Sequence, residues 1–194
     1  YDMVKVINLL NTIIQSTQQS KQPSPYILSL LGQCYFQINN YHLCIKYFKL
    51  LRKFYPYYLY GLEYYSTALW HLKKYIELTY LGQEILSIDK QCIQTWIIIG
   101  NCFSLQNKHY KAIEFFKRAI IINKYYTYAY TLIAHEYIYD ENYNLAIQYY
   151  RQAININNKH YNAWYGLGNI YYKQEKLKLA IYHFKQAILI NPYS

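Results

Sequence analysis

The sequence repeats itself with a period of 34 residues. Residues 25–194 divide into five blocks of equal length, without insertion or deletion, that begin at Pro25, Leu59, Ile93, Thr127 and Tyr161. Periods of this length are typical of arrays in which each repeat is one supersecondary unit that buries its apolar face against its neighbours. The period therefore predicts a solenoid.

Within a block, the position of a residue (its slot, 1 to 34) sets the size of its side chain. Slots 8, 20 and 27 favour small residues, and seven of the ten alanines occupy them. Slots 4, 7, 11 and 24 favour large residues. This pattern predicts two antiparallel helices, A and B, whose backbones approach closely at the small slots while the large side chains interlock. A proline in slot 32 would end helix B, as Pro192 does in the last block.

The last block gives the pattern most completely: Trp164, Leu167, Gly168, Tyr171, Ala180, Phe184, Ala187 and Pro192 stand in slots 4, 7, 8, 11, 20, 24, 27 and 32. It resembles the tetratricopeptide repeat (TPR), with its W-x2-L-G-x2-Y, A-x3-F and P positions. The resemblance implies an all-α fold, a right-handed α-solenoid of antiparallel helix pairs. We predict TPRs at 25–58, 93–126, 127–160 and 161–194, and a divergent TPR at 59–92.

Residues 1–24 continue the register, with Leu10 in slot 20 and Ile14 in slot 24. We interpret this segment as helix B of a truncated preceding repeat, followed by the connector "STQQSKQPSP". Since a bare solenoid end exposes apolar surface, we expect more repeats to follow in a longer parent protein.

The second block departs from the pattern. Ser66 stands in slot 8, Leu78 in slot 20, Gly82 in slot 24 and Ile85 in slot 27. Small and large residues of helix B have thus exchanged places, and the total side-chain volume stays roughly the same. This predicts a helix B that shifts or rotates but does not melt.

The charge distribution argues against nucleic acid. The net charge is +10, yet 19 of the 20 Lys and Arg fall in slots 15–33, and only Lys173 stands on the face of helix A that lines the concave side of such an array. A groove that follows a phosphate backbone needs several cations in line.

The sequence contains no run of about 18 apolar residues, so it predicts no membrane-spanning helix.

The sequence contains none of the common catalytic or metal-binding motifs. The four cysteines form no CxxC pair, His135–Glu136 is not followed by a second histidine at zincin spacing, and no Gly-rich phosphate loop occurs. We therefore expect neither an enzyme nor a metal or other cofactor.

Slots 2, 5, 9, 12 and 13 of helix A supply the candidate site. We predict a peptide-binding groove lined by Glu63, Thr67, Trp70, His71, Gln94, Asn101, Leu105, Tyr128, Thr131, His135 and Ile138. Amides can bond a peptide backbone, aromatic rings can cover apolar side chains, and a carboxylate can meet a cation. Taken singly, each of these residues is also compatible with ordinary helix surface.

Four stretches, in this order, resemble one family more narrowly: "YSTALWHLKK" (65–74), "GNCFSLQNKHYKAIEFFKRAI" (100–120), "YAYTLIAHEY" (128–137) and "HYNAWYGLGNIYYKQEK" (160–176). They are similar to the TPR subunit of the anaphase-promoting complex (cyclosome) that receives co-activators. The resemblance implies a non-catalytic scaffold in a multisubunit ubiquitin ligase, located in nucleus and cytoplasm. It further implies contacts with other subunits, homodimerisation through N-terminal repeats absent here, and binding of the C-terminal Ile-Arg tails of co-activators.

On this resemblance, we hypothesise that Glu63 pairs with the tail arginine and that Asn101 bonds the terminal carboxylate or the tail backbone. Trp70, Leu105 and Ile138 would shape the isoleucine pocket. Two alternatives keep the fold and change the partner: a co-chaperone-type module that clamps acidic C-terminal tails, with Lys173 as its one available cation, or a structural spacer in another assembly.

Overall fold

The computed structural model describes residues 3–17 and 23–192. Within these ranges the regular secondary structure is entirely α-helical. The chain forms two compact units, residues 1–90 and 91–194. The first contains α1 (Met3–Thr17), α2 (Pro25–Gln37), α3 (Tyr41–Phe54), α4 (Leu62–His71) and α5 (Tyr75–Ile88). The second contains α6 (Ile93–Leu105), α7 (His109–Ile122), α8 (Thr127–Tyr139), α9 (Tyr143–Ile156), α10 (Tyr161–Lys173) and α11 (Leu177–Ile190). The predicted all-α fold is confirmed, and none of the described helices is long and apolar enough to cross a membrane.

The helices follow the 34-residue period closely. α2, α6, α8 and α10 each occupy slots 1–13 of their block, and α3, α5, α7, α9 and α11 each occupy slots 17–30. Every block therefore contributes one helix A and one helix B, joined by a three-residue turn.

Each of these turns has the same backbone geometry. The residue in slot 15 has a positive φ of 52° to 60° in all five blocks, at Asn39, Lys73, Asn107, Glu141 and Glu175. The amide of slot 16 donates to the carbonyl of slot 11, and the amide of slot 15 donates to that of slot 12. This is the Schellman arrangement that ends a helix, here without the glycine that usually provides the left-handed residue.

The small slots in helix A receive the ring from helix B. A Cβ atom built on Gly32 would overlap the ring of Phe48, and one built on Gly100 would overlap the ring of Phe116. Both phenylalanines are fully buried. In the fourth block the ring is Tyr150, and a Cβ on Gly166 of the next helix A would overlap it. Gly166 thus provides the space that the extra hydroxyl of Tyr150 occupies.

Helix A of the second block begins late. Its first residue is Leu62, three positions after the block boundary, because Gly61 precedes it with a φ of +85°. The segment before it is fixed from α2, where the Ser29 hydroxyl donates to the carbonyl of Tyr60 over 2.9 Å. A side chain at Gly61 would overlap the Oγ atom of Ser29, so both the conformation and the space require glycine.

Helix B of the second block, α5, is intact, as predicted. It packs on α4 much less extensively than the other B helices pack on their partners. Ion pairs connect it to α3 instead: Lys49 Nζ lies 2.8 Å from Glu77 Oε2, and an Arg52 nitrogen lies 2.5 Å from Glu84 Oε1. The exchange of large and small residues therefore loosens one helix pair without unfolding its second helix.

The first helix differs in extent from the predicted truncated repeat. α1 spans slots 13–27 rather than 17–30, so Ser16 and Thr17 are helical rather than part of the connector. Leu10 is buried, as its slot predicts, and packs with Leu31 of α2. The side chain of Ile14 and connector residues 18–22 lie outside the described part of the chain.

Candidate functional site

The candidate residues lie on three A helices in two units. In the unit of residues 1–90, α4 carries Glu63, Thr67, Trp70 and His71. In the unit of residues 91–194, α6 carries Gln94, Asn101 and Leu105, and α8 carries Tyr128, Thr131, His135 and Ile138. Each unit therefore presents its own candidate surface.

The structure buries about half of this set. Six members are at most 9% exposed: Glu63, Thr67, Asn101, Leu105, Tyr128 and Thr131. Trp70, Gln94, His135 and Ile138 are half-buried, and His71 is exposed. The expectation of an open surface is wrong for these six residues. Four of them stand in slots 5 and 9, and slot 5 can pack against the next helix A. Ile97, in slot 5, shows this packing: it is fully buried in one apolar cluster with Ala129 and Ile133 of α8.

In the unit of residues 1–90, the accessible part of the surface is aromatic. The His71 imidazole stacks on the Tyr41 ring with centroids 4.4 Å apart and planes 7° apart, and the Trp70 ring meets His71 edge-on at 5.2 Å. Phe36 of α2 lies beneath Tyr41 at 5.7 Å. Glu63 stands in the first turn of α4, where a carboxylate interacts favourably with the helix dipole. This aromatic shelf (Tyr41, Trp70 and His71) can cover an apolar side chain.

In the unit of residues 91–194, a buried polar cluster joins three helices. The Ser104 hydroxyl of α6 donates to Oε1 of Glu136 on α8 over 2.7 Å, and Nδ1 of His109, at the start of α7, lies 2.7 Å from Oε2. Glu136 is 3% exposed. Burial raises the pKa of its carboxyl, and the hydrogen bonds from His109 and Ser104 oppose that rise. The His109 ring also stacks on Tyr139 at 5.0 Å. The cluster fixes the ends of α6 and α8 that carry Leu105 and Ile138.

Two histidines of this unit are held by neighbouring polar groups. The Nδ1 atom of His135 lies 3.0 Å from the hydroxyl of the fully buried Tyr150. Nε2 of His160, in the turn before α10, lies 3.5 Å from Thr131 Oγ1, and its ring meets Tyr128 edge-on. Burial lowers the pKa of His160 to about 4, so this imidazole is neutral near pH 7. His135, Tyr128 and Thr131 are therefore parts of the packing between repeats.

The more accessible A-helix surface of this unit lies towards its last two blocks. Tyr139, Tyr165 and Tyr172 are each more than half exposed, and Asn169 is half-buried beside them. These rings and the Asn169 amide can contact an extended peptide. Within the described residues, no group of three or more His, Cys, Asp or Glu side chains could hold a metal ion.

Sequence reasoning missed Glu136 and His109 as structural residues. A signal was present: slot 10 of helix A is Cys34, Ala68, Cys102 and Ile170 in the other blocks, so a glutamate there marks a buried charge that needs partners.

Comparison with known proteins agrees with this architecture. Tetratricopeptide-repeat family models match residues 25–51, 93–125 and 127–160, and a second model of the same repeat matches residues 161–194. The chain belongs to the tetratricopeptide-repeat family. Among solved structures, a thermophilic TPR protein of Thermus thermophilus superposes with a TM-score of 0.72 over 87% of this chain and 92% of its own, at 13% identity, which shows the shared fold.

Two curated relatives show which proteins of this broad repeat family the chain is similar to. Cell division cycle protein 27 homolog A of Arabidopsis thaliana is 41% identical over 63% of this chain and 17% of its own length. Anaphase-promoting complex subunit 3 of Schizosaccharomyces pombe is 40% identical over 66% of this chain and 19% of its own length. The resemblance to the anaphase-promoting complex subunit is thus confirmed at the level of sequence, and the chain spans less than a fifth of the relatives it matches.

Proposed function

We propose that this TPR chain is a non-catalytic part of a scaffold subunit of the anaphase-promoting complex, a ubiquitin ligase, and that its A helices bind the C-terminal Ile-Arg tails of co-activators. The observation that carries the proposal is the identity of about 40% to Cdc27-type proteins of a plant and a yeast. Recruiting a co-activator would bring its substrates to the ligase for cell-cycle-regulated ubiquitination.

The aromatic shelf of the first unit supports tail binding. Its rings are rigid and already stacked, so covering an apolar side chain there costs little side-chain entropy. The Ile of the tail is assigned to this shelf. Glu63, two turns earlier on α4, is the acid assigned to the tail arginine. Because Glu63 is only 5% exposed, the arginine must insert its guanidinium between side chains to reach it.

The second unit carries a separate surface of its own that suits a peptide backbone. Gln94 and Asn169 have amide groups that can both donate and accept, and Tyr139 and Tyr172 have exposed rings. Asn101, hypothesised to bond the terminal carboxylate or the tail backbone, is 3% exposed, so on this unit we assign the direct contact with a peptide to Gln94.

Fluorescence anisotropy with a labelled peptide that ends in Ile-Arg and a free carboxylate tests the proposal. Glu63→Gln keeps the size of the side chain and removes its charge, and should weaken binding at least tenfold, since removing one member of a desolvated charge pair costs about 2–5 kcal/mol. Lys46→Gln on the exposed face of α3 is the matched control and should leave the affinity unchanged.

Equal affinity of the Glu63→Gln variant and the unmodified chain would remove Glu63 from the site. A peptide ending in Glu-Glu-Val-Asp, used alongside, separates the alternative. Tighter binding of this acidic tail than of the Ile-Arg tail would replace co-activator docking with an acidic-tail clamp.

The remaining partners are part of the same proposal. Other subunits of the anaphase-promoting complex would contact the B helices and repeat edges, the parent protein would dimerise through its N-terminal repeats, and the complex would act in nucleus and cytoplasm. Cross-linking mass spectrometry of the purified complex tests the first point, since cross-links from B-helix lysines to other subunits are expected.

A further inference from the structure

A ladder of three aromatic rings runs along the seam between α6 and α7. Trp96 stacks on Phe115 with centroids 5.9 Å apart and planes 7° apart, and Phe115 stacks on Phe103 at 5.0 Å and 13°. These three rings, the aromatic ladder, occupy slots 4, 23 and 11, none of which belongs to the candidate peptide groove. All three are half-buried.

Cations cover both ends of the aromatic ladder. The Arg118 guanidinium carbon lies 4.9 Å from the Trp96 ring centroid and 5.0 Å from that of Phe115. The ammonium groups of Lys111 and Lys108 lie 5.9 Å and 6.0 Å from Phe103. Such cation–π contacts hold the long side chains against the rings, and all three residues are exposed to solvent. The Lys108 ammonium also donates to Gln106 Oε1 over 3.0 Å.

The charge around the aromatic ladder is one-sided. Residues 108–124 contain five exposed Lys or Arg and one acid, which is also exposed: Lys108, Lys111, Lys117, Arg118, Lys124 and Glu114. The ion pairs of the described residues involve Lys49, Arg52, Lys74 and His109, and none of these five cations. This segment, which includes the three cations over the ladder, therefore carries an excess positive charge.

The corresponding rings in the next two blocks have a different chemistry. Slots 4, 23 and 11 hold Tyr130, Tyr149 and Tyr137 in one block and Trp164, His183 and Tyr171 in the other. Apart from the indole of Trp164, those rings carry hydroxyl or imidazole groups. Tyr130 and Trp164 donate hydrogen bonds to backbone carbonyls of the preceding turn. Only in the third block do these slots hold two phenylalanines and a tryptophan with Lys and Arg side chains over their rings.

We infer that the aromatic ladder and the cations around it form a second docking surface, which binds an acidic peptide segment of a partner protein. Carboxylates of the segment bond the outward edges of Arg118 and Lys111, whose long side chains are held in place against the rings. A guanidinium can stack on a ring and bond a carboxylate with its edge at the same time, which an ammonium cannot do as well. The inference does not depend on the proposed co-activator tail site.

Single-stranded nucleic acid fits this surface less well. Base stacking needs an open ring face. In the aromatic ladder, the faces of Phe115 lie against Trp96 and Phe103, and Arg118 and the lysines stand over the outer rings. Carboxylates need only the cation edges, which remain accessible.

The test is fluorescence anisotropy of the whole chain with a labelled peptide, Glu-Glu-Leu-Glu-Glu-Leu-Glu-Glu, and with the same peptide in which every Glu is Gln. We expect binding of the acidic peptide that weakens as salt increases, and at least tenfold weaker binding of the Gln peptide. The double variant R118Q/K111Q should lose about tenfold in affinity. K178Q/K185Q, which removes two exposed lysines from α11, is the matched control and should change affinity less than twofold.

Arg118→Lys keeps the charge and removes the planar edge, so a severalfold loss of affinity for the acidic peptide is expected. Equal losses in the two double variants would overturn the inference, since binding would then follow net charge alone. It would also be overturned if the unmodified chain failed to bind the acidic peptide. If an oligo(dT) of eight nucleotides bound more tightly and lost affinity in R118Q/K111Q, the surface would belong to nucleic acid and not to an acidic peptide.

Discussion

His160 should make the stability of the second unit depend on pH in a defined direction. Its ring lies between α8 and α10, edge-on to Tyr128 and near the Thr131 hydroxyl. Burial lowers the pKa of His160 from 6.5 to about 4 in the folded chain. His160 therefore binds a proton more readily in the unfolded chain than in the folded chain. The stability that the neutral His160 provides is lost as the pH falls from about 6.5 towards 4.

The magnitude follows from the difference between the two pKa values. Each tenfold difference in proton affinity corresponds to about 1.4 kcal/mol. At pH 5, the unfolded imidazole is charged in most molecules and the folded one is neutral in most. This places the loss at about 2 kcal/mol relative to pH 7.5, rising to about 3 kcal/mol near pH 4.

The assay is urea unfolding followed by circular dichroism at pH 7.5 and pH 5, for the unmodified chain and for His160→Gln. Other groups titrate in both proteins, so the difference between the two pH dependences isolates His160. We expect the unmodified chain to lose about 2 kcal/mol more than the variant between these two pH values. Parallel losses in both proteins would refute the reasoning, because they would show that His160 has the same pKa in both states.

Three further predictions concern stability, each measured by urea unfolding. Gly100→Ala should lower the free energy of unfolding by about 1–3 kcal/mol because its methyl group overlaps the Phe116 ring; a more stable variant would show that the rings repack freely. Glu136→Ala should cost about 3 kcal/mol because it leaves the buried Ser104 hydroxyl and the half-buried His109 without the acceptor they share; an unchanged midpoint would contradict that role. Lys176→Asn should add about 1 kcal/mol by capping α11; no gain would mean the cap geometry does not form there.

The fold was predictable because its determinants repeat. Gly in slot 8 and Phe in slot 24 are a matched pair in sequence, and the overlap that a Cβ would cause shows why they vary together. The turn between helices A and B was less visible. Lys73 and Glu141 adopt the left-handed conformation without a glycine, since the two helices they join fix the chain on both sides.

The second block shows where the period misleads. The repeat places the start of helix A at slot 1, whereas α4 begins at Leu62, after Gly61. The deciding interaction is the Ser29 bond to a carbonyl 31 residues later, which joins two repeats and leaves no mark in the sequence of either one. This contact between repeats is therefore not encoded by the slot pattern.

The candidate site was predicted by position only. Slots identify which side chains lie on helix A, and they do not measure how closely the next helix A approaches. Asn101 and Thr131 were therefore assigned to an open groove although they are almost fully buried, and Glu136 was overlooked although it is the acid that holds two of those helices together.

The most direct test of the account is affinity purification, from its own cells, of the tagged protein that carries this chain, followed by mass spectrometry. The account predicts that the other subunits of the anaphase-promoting complex co-purify in near-stoichiometric amounts, with co-activator lost on adding excess Ile-Arg peptide. Recovery of the folded protein with a different set of partners, and without those subunits, would contradict it.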